Sequence, residues 1–271
     1  MDSLAMNAKT KIIATISKLR CDKPFLRGLL EEGTDVFRLN FSHMTADEAA
    51  GIIRHIKELR QELNIPLAMI ADTKGPELRL TGYSEPVHLK TGEKILISGS
   101  EENPENPENL TAFKLTLEYV SGLIEENQKV LLMDGYIEGH ITDIIPAGAV
   151  VTIDNSAELR PRAHITFPGV NYPLPFLSDK DRIDICYAIE NNLEYLALSF
   201  VKEAGEVEMI RRIVQEINPD SPIGIIAKIE TPQAIAKLEE IIEASDGIMV
   251  ARGDLGVELP LEKVPPMQKR I

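Results

Sequence analysis

Short apolar runs alternate with amphipathic segments along most of the chain. "KIIATI" (11–16), "VFRLNFS" (36–42) and "PLAMIADTKG" (66–75) are rich in Ile, Val, Leu and Ala, which predicts buried strands. Between them, "CDKPFLRGLLEEG" reads as a helix stopped by Gly33. "TADEAAGIIRHIKELRQEL" reads as a second helix, with Thr45 as N-cap and Glu48 three residues later completing a capping box. The alternation resumes with the helix "SDKDRIDICYAIENN" (178–192), capped by Ser178, and the strand "YLALSFV" (195–201). The helix "EAGEVEMIRRIVQEI", the strand "IGIIAKIE" (223–230), one helix over "TPQAIAKLEEIIEAS" and the strand "GIMVARG" (247–253) follow. Six such strands alternating with helices predict a parallel α/β sheet.

The stretch between has another texture. "PVHLKTGEKILISG", "KVLLMDGYIEGHITDI" and "GAVVTIDN" are short alternating runs broken by turn residues, with no long helical pattern. They predict a small all-β domain over 81–167, inserted into an α/β domain made of 1–80 and 168–271. Inside it, the acidic, Pro/Asn-rich "SEENPENPENLT" (100–111) reads as a solvated surface loop.

Composition narrows the partners. A net charge of −14 and a pI near 4.9 argue against nonspecific binding to nucleic acid or to anionic membranes. Anionic small molecules remain open, because a local cluster of cations overrides the global sign. Cys21 and Cys186 stand in no metal-binding or redox spacing and read as reduced thiols. The first residues, "MDSLAMNAKTKIIATISK", hold no signal-peptide apolar core, and no apolar run reaches membrane-spanning length. A cytoplasmic protein is expected.

The polar residues that change the picture fall at the carboxyl ends of the predicted strands, where parallel α/β folds place their sites. The second strand ends in Arg38, Asn40, Ser42 and His43, the third in Asp72, Thr73 and Lys74. The fifth ends in Lys228 and Glu230, the sixth in Arg252 and Asp254. Strand period puts Lys228 and Glu230 on one face, and Arg38, Asn40 and Ser42 on another common face. Taken alone, Lys228 and Glu230 read equally as a structural ion pair. Taken together, the four clusters predict a shared site. Glu230 and Asp254 suit a hard divalent cation such as Mg²⁺, while Lys228 and Arg38 suit a phosphate or a developing oxyanion. The residues point to a metal-assisted enzyme acting on a phosphorylated or carboxylated small molecule.

"KTKIIATI", "FRLNFSH", "DTKGPELR", "IIAKIETPQAI" and "DGIMVARGDLGVELP", in this order, resemble the amino-terminal half of the pyruvate kinases. "PGVNYPLPFLSDKD" resembles the segment by which that family re-enters its barrel, and the insert is similar to its capping β-domain. The resemblance implies a TIM-type (β/α)8 barrel, here with about six βα units. It implies phosphoryl transfer from phosphoenolpyruvate to ADP, giving pyruvate and ATP, with Mg²⁺ (or Mn²⁺) and K⁺ as cofactors. Carried over by motif, Lys228 and Arg38 are catalytic and contact the substrate phosphate. Glu230 and Asp254 bind Mg²⁺, and Asn40, Ser42, Asp72 and Thr73 form the K⁺ site. The backbone at Ala251, Gly253 and Asp254 receives the substrate carboxylate, and Asn40, His43 and Arg79 lie toward the nucleotide. Glu77 matches the K⁺-requiring form of its motif. A homo-oligomer, a tetramer, is expected for the full-length family.

Three departures accompany the resemblance. The chain stops at "VPPMQKRI", in what reads as the sixth helix, without the family's last two barrel strands, its active-site threonine or its carboxyl-terminal domain. Ala163 occupies a lysine slot, one position from Arg162, and "MDG" keeps Asp134 alone of an aspartate pair. Missing strands predict exposed sheet edges and low stability without a completing partner. Two further readings follow: an inactive remnant or partner of a full-length kinase, and a lyase or aldolase handling pyruvate enolate on a related barrel. The capping insert and the potassium motifs speak against the last.

Overall fold

The computed structural model describes residues 9–100, 106, 109–146 and 148–271, so most of the acidic stretch at 100–111 lies outside the described residues. From the amino terminus run β1 (Ile13–Ile16), α1 (Lys23–Glu31), β2 (Val36–Asn40), α2 (Ala46–Leu63) and β3 (Ala68–Asp72). Strands alone follow: β4 (Leu80–Thr81), β5 (Val87–Leu89), β6 (Lys94–Ser98), β7 (Thr111–Leu115), β8 (Lys129–Leu132), β9 (Ile137–Ile145), β10 (Gly148–Ile153), β11 (Ala157–Leu159) and β12 (Ile165–Thr166). The alternation returns with α3 (Asp179–Glu190), β13 (Tyr195–Leu198), α4 (Ala204–Ile217), β14 (Gly224–Ile229), α5 (Pro232–Ala236), α6 (Leu238–Ala244) and β15 (Gly247–Val250). It closes on α7 (Arg252–Glu258), a 3₁₀ turn at Leu261–Lys263 and α8 (Val264–Arg270). Two compact units result. One comprises Met1–Gly75, Phe176–Ile229 and Ala236–Val250, the other Pro76–Pro175, Glu230–Ile235 and Ala251–Ile271.

The first unit holds a six-stranded sheet in the order β1-β2-β3-β13-β14-β15, every pair parallel. This is an incomplete TIM-type barrel. Thr45 and Ser178 cap the helices expected of them, and Asp22 caps α1 as well. Asp22 accepts the Phe25 N–H ahead of α1, Thr45 and Glu48 form the capping box of α2, and the Ser178 hydroxyl accepts the Asp181 N–H of α3. One expectation fails: the segment 231–245 is two helices, broken at Lys237, whose φ and ψ of −111° and 23° leave the helical region. The strand expected over 247–253 also ends early, so Arg252 and Gly253 sit in the first turn of α7.

Alternation along the strands separates core from site. On β2, Phe37 and Leu39 are fully buried while Arg38 and Asn40 take the other face. On β14, Ile225, Ala227 and Ile229 share the buried face and Lys228 the opposite one. Ile52, Ile56 and Leu59 of α2, and Val207 and Ile210 of α4, add the helical side of this core. Burial weakens at the two outer strands: Ile13 of β1 is 48% exposed, and all of β15 is only half-buried. Cys21 and Cys186 are both free and half-buried. No helix among the described residues is long and apolar enough to cross a membrane.

The second unit is built on a seven-stranded sheet in the order β12-β8-β9-β10-β6-β7-β4, with a separate β11-β5 pair. All its pairs are antiparallel except β6 with β7. Phe113, Phe167, Ile97, Val130, Ile141 and Val151 fill its core. Gly148 opens β10 at a φ of +134°, and a Cβ there would fall 2.2 Å from the Ile97 carbonyl oxygen, so only glycine permits this approach.

Candidate active site

Parallel register brings residues far apart in sequence to one edge of the first unit. It sets Thr15 beside Arg38 and Asn40 beside Asp72, and register partners share a face. Arg38 places Nε and Nη2 on Asp72 Oδ2, and its Nη1 donates to Thr15 Oγ1 at 3.2 Å. The other carboxylate oxygen of Asp72, Oδ1, lies 3.2 Å from Lys228 Nζ. Lys228 donates to Ser199 Oγ at 2.7 Å, and that hydroxyl lies 2.7 Å from the Thr73 carbonyl oxygen and 3.3 Å from Asp72 Oδ1. The Ser199 N–H in turn donates to Thr73 Oγ1 at 3.0 Å.

Burial gives these contacts weight. The side chains of Asp72 and Lys228 are 1% and 9% exposed, so water screens their attraction little. Arg38, at 27%, reaches toward solvent. Asp72 thus meets two cations, Arg38 and Lys228, through its two carboxylate oxygens. Fixed cations of this kind can hold a phosphate or stabilise an oxyanion.

The loops after β2 and β3 are shaped by their own polar groups. Asn40 Oδ1 accepts the Ser42 N–H at 2.9 Å, an Asx turn that reverses the chain toward α2, and the His43 N–H donates to the Asn40 carbonyl at 3.1 Å. The His43 side chain is exposed. After β3, Gly75 adopts a φ of +70° and packs on Ser199, where a Cβ would lie 2.9 Å from the Ser199 Cβ and carbonyl oxygen.

The remaining expected residues belong to the second unit. Glu230, just past β14, is fully buried, whereas Asp254, in the first turn of α7, is half-buried. Ala251 is the residue before α7, and its carbonyl accepts the Leu255 N–H at 2.9 Å. Arg79 lays its guanidinium on Glu77, with Nε 3.1 Å from Oε2, and donates from Nη1 to the Arg162 carbonyl at 3.1 Å. No group of three or more His, Cys, Asp and Glu side chains is arranged to hold a metal ion among the described residues.

Residues 7–271 match the family model described as "Pyruvate kinase, barrel domain". The chain belongs to the pyruvate kinase family. It is 35% identical over 265 residues to a pyruvate kinase of Chlamydia muridarum (strain MoPn / Nigg), covering 97% of this chain and 54% of that protein. It is 38% identical over 264 residues to a pyruvate kinase of Staphylococcus aureus (strain MRSA252), covering 96% of this chain and 44% of that one. The chain therefore spans about half the length of the curated relatives it matches.

The positions read from the sequence as departures from the pyruvate kinase pattern all lie in the second unit. Ala163 is buried in the core of the second unit, a place that would not accept an unpaired lysine. Arg162 occupies the left-handed region at a φ of +58°, as does Asp134, which meets His164 Nδ1 at 2.7 Å. Thr15 and Ser199 are the site residues that the sequence reading passed over. Both stand at or just beyond the carboxyl end of a strand, and applying the strand-end rule to the first and fourth strands as well finds them.

Proposed function

We propose that this chain carries the phosphoryl-transfer residues of a pyruvate kinase, moving the phosphoryl group of phosphoenolpyruvate to ADP to give pyruvate and ATP. The observation that carries the reading is the cluster of buried Lys228, Ser199 and Asp72 with the partly exposed Arg38 at the carboxyl edge of the parallel sheet. In this reaction the phosphorus–oxygen bond to the enol oxygen breaks, and one to the terminal phosphate oxygen of ADP forms. The enolate left behind takes a proton on carbon. Charge spreads over the equatorial oxygens of the transferring group, so catalysis rests on cations fixed in place beforehand. Arg38 binds the substrate phosphate, while Lys228, aimed by Ser199 and Asp72, stabilises the charge that develops during transfer. The backbone of Ala251, Gly253 and Asp254 receives the substrate carboxylate, and Asn40, His43 and Arg79 face the nucleotide.

The donor sets fit the two cations that this chemistry uses. Glu230 and Asp254 are two carboxylates, a number Mg²⁺ takes from protein when phosphate oxygens and water complete its octahedron. Asn40, Ser42, Asp72 and Thr73 present oxygen donors from neighbouring, in-register strand ends, a set suited to K⁺. When bound, the cations supply positive charge against the transferring phosphoryl group.

The test is a lactate-dehydrogenase-coupled assay of this chain with phosphoenolpyruvate, ADP, Mg²⁺ and K⁺. The expected result is turnover that falls roughly 10²–10³-fold in Lys228→Met, as for removal of one preorganised electrostatic donor. A wild-type rate equal to that of the variant overturns the activity. The chain would then be an inactive remnant, or a partner of a longer kinase.

A further inference from the structure

The Asp72 and Asn40 loops both lean on one short piece of helix. Lys180 and Asp181 are consecutive residues in the first turn of α3, so their side chains leave the helix about 100° apart and reach different neighbours. Lys180 Nζ donates to the Phe41 carbonyl at 2.7 Å and to the Met44 carbonyl at 3.4 Å, bracketing Ser42 and His43 from both sides. The same ammonium is held at 2.5 Å by Asp184, one turn along α3, and lies 5.9 Å from the Phe41 ring centroid. Asp181 Oδ1 accepts two successive backbone N–H groups, Lys74 at 2.9 Å and Gly75 at 3.3 Å. Its Oδ2 accepts the Ser178 hydroxyl at 2.6 Å, so both oxygens are engaged and the side chain is fixed. Asp181 is 2% exposed and Asp184 3%.

We infer that Lys180 and Asp181 are positioning residues that clamp both cation- and phosphate-binding loops to the start of α3. The lysine holds the Asn40–Met44 loop by its carbonyls, and the aspartate holds the Asp72–Gly75 loop by its amides. The inference rests on the phosphotransfer reading above and names what sets the geometry of that site. Charge matches direction in each case, because a cation meets carbonyl oxygens and an anion meets N–H groups. The aspartate arm also reaches Lys228. Asp181 fixes Gly75, Gly75 packs on Ser199, and Ser199 accepts the Lys228 ammonium. Neither residue touches the reacting atoms.

Hydrogen exchange and kinetics on the whole chain test the clamp together. In Asp181→Asn, the amides of Lys74 and Gly75 should exchange about tenfold faster or more, as expected when a charged acceptor is lost. Amides in the centre of β14 should be unchanged. In Lys180→Met, the segment 41–44 should lose protection in the same selective way, and Lys180→Arg should restore it. In both variants the K⁺ concentration for half-maximal activity should rise about fivefold or more, with kcat at saturating K⁺ largely kept. Uniform loss of protection across the first unit would make the pair merely structural and overturn the inference, as would unchanged exchange at Lys74 and Gly75. Selective exchange in a chain without turnover would instead overturn the phosphotransfer reading and leave the clamp standing.

Discussion

Asp72 shows how much one buried side chain does here. Its two oxygens meet Arg38, Lys228 and Ser199, and its removal would leave two cations facing each other without their shared counter-charge. Breaking a buried ion pair from one side costs about 3–5 kcal/mol, while losing one hydrogen-bonded hydroxyl costs about 1–3. Urea unfolding should accordingly rank Asp72→Ala as more destabilising than Ser199→Ala. The reverse order would mean that Ser199, through its two contacts with Thr73, is the principal tie between the strand ends. Asp72 was legible in the sequence as a polar residue closing an apolar run. Ser199 was less so, because a lone serine in "YLALSFV" reads as a small residue tolerated in a core.

At the level of elements, caps were the most legible feature, since each is written within four residues. Thr45 and Ser178 start the helices expected of them, and Asp22 proves to cap α1 by the same short-range rule. The break between α5 and α6 was not legible, because the apolar positions of "TPQAIAKLEEIIEAS" continue across Lys237 in helical phase. Lys237 bonds instead to Glu203, 34 residues away, at 2.5 Å. The sheet predicts an energetic difference between inner and outer strands. Ile225, on β14 with a strand paired on either side, is fully buried, while Ile13, on the outer β1, is 48% exposed. Ile225→Ala should cost about 2–5 kcal/mol and Ile13→Ala about 1 or less, read from denaturant midpoints. Equal costs would show that the edge strand is covered in solution.

For the molecule as a whole, acidity shapes the response to pH. Net charge is −14, yet two carboxyls of the first unit, Glu206 and Asp184, hold their protons more tightly than free ones. Burial pushes the Glu206 carboxyl above its ordinary range, against the backbone N–H groups of Lys202 and Glu203 that favour its charged form. Burial also raises Asp184, with Lys180 pulling the other way. A carboxyl with a raised folded pKa keeps its proton longer in the folded state than in the unfolded one. Its contribution to stability is therefore favourable below the ordinary value and is lost as pH rises from about 4 through the folded pKa. Glu206→Gln should remove its share, so the variant's melting temperature should climb more steeply with pH over that window. Superimposable profiles would contradict the raised value.

The sequence by itself determined the alternation of strands and helices, the caps, the all-β texture of the middle segment, the family, and most of the polar residues at strand ends. These are encoded in neighbouring residues, in periods of two and 3.6, and in motifs a few residues long. Only the tertiary structure decided which of those residues meet. Lys228 finds Ser199 29 positions away, and Asp181 finds Lys74 107 positions away. Such pairings depend on strand register and on how α3 docks beside β3, and both are set by packing over the whole sheet rather than by any local stretch of chain.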